Sequence, residues 1–87
     1  MRIYIPATNR DLLSAPIEPR VVHAVTRALE HALGADEDRE VVEAVAMNAA
    51  ADDSLRLVGV ARSEGVSIAL RRCVIVAVVP DAHVSAL

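Results

Sequence analysis

Seven consecutive apolar residues, Cys73 to Val79, run between Arg71-Arg72 and Pro80, and no other stretch restricts the fold of this chain as strongly. The run is far short of the roughly 20 residues that cross a bilayer, and its β-branched composition and proline stop read as a strand. It does not alternate polar with apolar, so both of its faces should be covered. That is the expectation for the central strand of a sheet.

A chain of 87 residues can enclose one hydrophobic core, which makes residues 1–87 a single domain. One tyrosine is the only aromatic residue, so the core must be assembled from Ala, Val, Leu and Ile. Small cores of small side chains are marginal, and a dimer that buries further apolar surface would stabilise this one.

The remaining elements follow from local pattern. Met1 to Pro6 alternates as a half-buried strand that Pro6 ends. Thr8 is placed to cap a short helix through Asp11, Leu12 and Leu13, with Asp11 reaching back as in a capping box. Arg20 to Thr26 reads as a second strand on its β-branched Val21, Val22 and Val25, although a helix starting at Pro19 also fits. On the strand reading, Thr26 caps a helix over Arg27 to Leu33 that Gly34 closes.

Asp36, Glu37 and Asp38 then suit the start of a helix whose Val41, Val42, Val45, Ala46 and Ala49 repeat with helical spacing. Continued to Ser63 it would measure about 40 Å, which is long for a compact domain. A break near Ala51 is therefore expected, with Asp52, Asp53 and Ser54 capping a further helix that buries Leu55, Val58 and Ala61 and ends at Gly65. One continuous helix is the alternative. Ala44 to Ala51 is Ala-rich because small residues permit close helix packing.

The resulting expectation is an α+β fold: a small three-stranded sheet, element order β-α-β-α-α-β, with helices packed mainly on one face. The strand order expected is first, third, second, since Arg2 with Pro6 and Arg20 mark the first and second strands as edges. The helices suffice to cover one face of this sheet. The other face has room for a partner.

Chemistry-bearing residues are sparse. His23, His31 and His83 lack the spacing of a helical zinc motif, Asp36 to Asp38 lack that of a calcium loop, and the three glycines are isolated. No metal or cofactor is expected. His31 lies where a partly cationic ring suits a helix C-terminus, and Cys73 heads a strand where a small core residue is wanted. The serines have no nucleophile context. The pair Arg71-Arg72 fits the protection of a strand end or pairing with helix acids.

The net charge is −3 and every basic residue is Arg, a balance that argues against nucleic-acid binding. The lone Cys73 forms no internal disulfide. Pro6, Thr8, Asn9, Arg10 and Asp11 interrupt any leader-like apolar segment, so a cytoplasmic location without a membrane partner is expected.

Short phrases over most of the chain carry a resemblance: Met1 to Thr8, Ala24-Val25-Thr26 followed by Ala28-Leu29, Ala46-Met47, Ser54-Leu55-Arg56-Leu57, and Val76 to Asp81. Together they resemble a small uncharacterised protein family of high-GC actinobacteria, of unknown function. The family pattern has a proline after the Val-Thr step, where this chain has Arg27. The resemblance implies no activity.

Two functional expectations follow. The first is a non-catalytic protein-interaction or accessory module, with itself or another protein as partner, self-associating through a sheet face. The alternative is a small enzyme or ligand-binding protein with a site at strand ends or between subunits, using His23, Asp81 and His83.

Overall fold

The alternation at the start of the sequence produces β1, Arg2–Ala7, in a computed structural model that describes residues 1–13, 18–26 and 39–85. The other elements are β2 (His23–Ala24), α1 (Arg39–Ser63) and β3 (Cys73–Val78), with single 3₁₀ turns at Asp11–Leu13 and Asp81–His83. The fold is α+β: among the described residues, a three-stranded antiparallel sheet carries a long helix. The helix expected over Arg27 to Leu33 and the acidic start at Asp36 to Asp38 lie outside the described residues, as does His31.

The strand order is β2-β1-β3, which corrects the expected arrangement: β1 is central and β3 is an edge. An unbroken apolar run mimicked a doubly covered strand, yet Val76 and Val78 are 46% and 76% exposed. Ile3 lies opposite Ala24 on one side and Ala77 on the other, and Tyr4 opposite His23 and Val76.

A proline inside a central strand is unusual because it cannot donate to a ladder. The register removes the difficulty. Met1 and Val79 exchange both main-chain hydrogen bonds, each 2.8 Å, so Ile3, Ile5 and Ala7 also direct their amides and carbonyls toward β3. Pro6 therefore faces the β2 side, beyond the two residues at which β2 pairs. Its carbonyl accepts from Arg20 Nη1 at 3.2 Å. Instead of ending the strand, Pro6 sits within it, where no donor is wanted. The segment 20–26 is a strand only at His23–Ala24, because beyond it Arg20 supplies a side chain where a ladder would need backbone.

The helix is continuous from Arg39 to Ser63, without a break at Ala51. Its buried positions, Val42, Ala46, Ala50, Ser54 and Val58, recur every fourth residue. A step of four advances slightly beyond one helical turn, so this stripe winds gently around α1. Small residues along it let α1 lie close to the sheet, where Ala46 and Ala50 pack on Tyr4 with Val25, Met47 and Val74 around them. Leu55 is exposed and Ser54 takes the buried place expected of an apolar residue. The length objection fails because the molecule is elongated: it measures 45 × 24 × 21 Å, and its radius of gyration of 14.0 Å exceeds the roughly 12 Å of a compact chain this long.

Gly65 ends the helix as its sequence position suggests. It adopts φ +79°, its amide bonds to the Arg62 carbonyl at 3.1 Å, and the Val66 amide reaches the Ala61 carbonyl at 2.9 Å. This pair of bonds is the Schellman arrangement, which needs a left-handed residue where glycine has no Cβ penalty.

Candidate functional site

Among the described residues, three polar groupings and one strand edge are where the fold offers chemistry. The first grouping grows from the Thr8-x-x-Asp11 pattern. The Thr8 amide donates to Asp11 Oδ2 at 2.8 Å and the Thr8 hydroxyl approaches the same oxygen at 3.3 Å, so the reach-back expected of Asp11 is present, on a single 3₁₀ turn. Arg20 clamps the carboxylate in a fork, Nη1 to Oδ2 at 3.0 Å and Nη2 to Oδ1 at 3.2 Å, while its Nε donates to the Glu18 carbonyl. The Arg20 hydrogen bonds hold the Asp11 carboxyl below the usual carboxylate range. Burial opposes that shift, and Thr8 and the Arg20 charge reinforce it.

An open cleft of about 380 Å³ lies beside this clamp, with Asp11, Arg20 and Glu64 among its polar residues and Leu57, Val60 and Ile68 among its apolar ones. The Arg20 guanidinium is already engaged by Asp11 and two carbonyls. The cleft is thus lined by a satisfied structural pair.

The second grouping lies across β2 and α1. His23 Nε2 and Asp53 Oδ2 are 2.5 Å apart, and Arg56 Nη1 donates to Asp53 Oδ1 at 2.9 Å. Asp53, which local pattern suggested as a helix cap, is instead mid-helix and fastens α1 to the outer strand β2. The third grouping is at the other side of the sheet. Asp81 lies 3.2 Å from the Met1 amino group, and Asp81 and His83 share an exposed 3₁₀ turn. His23 lies opposite Tyr4, three residues along β1 from Met1, or about 10 Å at strand spacing. The fold therefore places Asp81 and His83 together and His23 apart, and none of the three lines the cleft among the described residues.

Ser54 is a buried polar position of a different kind, which its sequence context does not reveal. Its hydroxyl is fully buried, donates to the Ala7 carbonyl at 2.6 Å and accepts from the Cys73 amide at 2.8 Å. Ala7 and Cys73 face each other in the register, so the hydroxyl bridges two ladder partners. With both bonds committed and no solvent contact, Ser54 is structural. Asp52-Asp53-Ser54 looks like a capping cluster locally, and nothing within those residues signals the role. Among the described residues, no three His, Cys, Asp or Glu side chains converge as metal ligands.

The edge of β3 is the remaining feature. Because Cys73, Ile75 and Ala77 face β1, the amides and carbonyls of Val74, Val76 and Val78 point outward, where no strand lies among the described residues. Arg71 and Arg72 precede this edge and Pro80 follows it. Arg72 reaches Asp52 of α1 at 3.7 Å, the pairing with a helix acid that its sequence position suggested.

A small α+β domain, in which the described residues form a long helix across a three-stranded antiparallel sheet whose valine edge meets no further described strand, is the class these observations define. The chain belongs to a family of unknown function, DUF6912, whose model matches residues 1–87. No curated protein and no solved structure matches it. No helix among the described residues is long and apolar enough to cross a membrane.

Proposed function

We propose that this chain is a non-catalytic protein-interaction or accessory module that takes up a strand along the outer edge of β3. One observation carries the reading: six apolar residues form an edge strand with outward-facing amides and carbonyls at Val74, Val76 and Val78. Sheets ordinarily blunt such edges with charge, proline or a bulge, because an open edge is a template for another strand. Within β3 none of these devices occurs, and the exposed Val76 and Val78 supply apolar surface beside the hydrogen-bonding groups. The expected self-association through a sheet face becomes, on this topology, association through a sheet edge.

The polar groupings support the same reading, since Asp11, Arg20, His23, Asp53 and Ser54 all satisfy one another or the backbone. An enzyme or ligand-binding protein using His23, Asp81 and His83 would have to act with its groups on opposite sides of the sheet. The acidic balance favours a protein partner over nucleic acid, and a cytoplasmic, high-GC actinobacterial setting is supported by the lone Cys73, the absence of Lys and the abundance of Ala and Val.

Val76→Pro tests the edge. The Val76 amide points away from β1, so proline removes an outward donor and spares the β1–β3 ladder. Purified wild type and variant are used as baits in parallel. A partner that binds wild type directly, protects the Val74, Val76 and Val78 amides from exchange, and is lost with the variant supports the reading. Identical partner sets for the two baits contradict it.

A further inference from the structure

The edge of β3 fits one partner better than a generic strand: a second copy of this chain. Resting on the reading of β3 as a docking edge, we infer that two copies pair antiparallel through β3 about a twofold axis at Val76. Three constraints lead to this register.

First, only Val74, Val76 and Val78 present outward groups, so a self-pairing must set even-numbered residues opposite even-numbered residues. Second, a register centred on Val76 sets Val76 opposite its own counterpart and Val74 opposite Val78 of the second copy. This engages every outward group of β3, about two hydrogen bonds for each pair. A centre one residue earlier leaves Val78 opposite Arg72, outside the strand. Third, the same register brings the approach to β3 at Arg71 of one copy toward the turn that carries Asp81 in the other, at both ends of the paired strands by symmetry. Arg71 is exposed, and the Asp81 side chain is 79% exposed despite its contact with Met1, leaving an oxygen face open. The edge is thus complementary to itself in hydrogen bonding, shape and charge, as an isologous interface requires.

Val74, Val76 and Val78 project on the α1 side of the sheet, because they lie opposite Pro6, Tyr4 and Arg2 and Tyr4 packs on α1. Cross-strand valine pairs would cover the exposed Val76 and Val78 from both copies. The product is a continuous six-stranded sheet, β2-β1-β3-β3-β1-β2, with α1 of each copy on the same face.

Sedimentation equilibrium over a concentration series, with the intact chain, tests this. The expected species has twice the 9.3 kDa chain mass. Val76→Pro and the milder Val78→Lys, at a side chain already largely in solvent, should each give a monomer with an unchanged far-UV spectrum. Arg71→Asp and Asp81→Arg alone should each weaken the dimer by about tenfold, two symmetric contacts being lost, and the double swap should restore it. A wild type monomeric throughout the series, or a dimer indifferent to Val78→Lys, overturns the inference. So does a double swap as weak as the single changes, which would exclude this register. A monomeric wild type that still shows partners sensitive to Val76→Pro overturns self-pairing alone. Identical partner sets for both baits would remove the docking edge itself.

Discussion

The Ser54 hydroxyl donates to the Ala7 carbonyl at 2.6 Å, so α1 enters the hydrogen-bond ladder of the sheet as well as packing on it. Removing that hydroxyl strands a fully buried acceptor and leaves the Cys73 amide without its 2.8 Å partner. Each unsatisfied group costs about 1–3 kcal/mol. Ser54→Ala should therefore lower stability by about 2–3 kcal/mol in urea unfolding, a large share for a domain of this size. Tyr4, the only aromatic residue and packed on Ala46 and Ala50, provides the fluorescence signal. A loss below about 0.5 kcal/mol would show that water replaces the hydroxyl at little cost.

The Asp11–Arg20 clamp makes stability depend on acid. The folded carboxyl titrates below its ordinary value of 3.8, so the unfolded chain binds a proton first as pH falls. The contribution is present above the unfolded value and disappears as pH drops through the folded one. Thermal midpoints measured from pH 5 downward should fall, and Asp11→Asn should flatten that slope while lowering the midpoint at neutral pH. Equal slopes in the two proteins would assign the acid sensitivity to other carboxylates.

Gly59 and Gly65 should respond to alanine with opposite signs. A Cβ at either position meets nothing within 4 Å, so sterics do not distinguish them. Gly59 lies inside α1, where alanine is favoured by about 0.8–1.0 kcal/mol; Gly65 holds φ +79°, where a Cβ costs about 1–2 kcal/mol. Gly59→Ala should raise the unfolding midpoint and Gly65→Ala should lower it. Two shifts of the same sign would contradict the Schellman ending.

Features governed by neighbours in sequence were legible. The Thr8–Asp11 reach-back, the Gly65 stop, the positions of β1 and β3, and the close packing of Ala46 and Ala50 all follow from residues within a few places of one another. What was not legible depended on distant partners. Pro6 reads as a strand end until Arg20, fourteen residues away, is seen to occupy its carbonyl. Ser54 reads as a cap until Ala7 and Cys73 are placed against it. The run Cys73 to Val79 reads as central because hydrophobicity reports affinity for burial and carries no information on whether a second strand is present to provide it. Among the candidate site residues, His23 was correctly placed on a strand, but its bond to Asp53 spans thirty residues and leaves no local trace.

The order of the strands in space also has a bearing on how the protein is made. β1 is synthesised well before β3, yet its longest ladder joins it to that strand, with Met1 and Val79 separated by 78 positions. Contacts so remote in sequence close slowly, and the central strand must wait with one side unmatched until β3 has been translated. During that interval the apolar side chains of Ile3, Tyr4 and Ile5 are open to chaperones or to mispairing with another nascent chain.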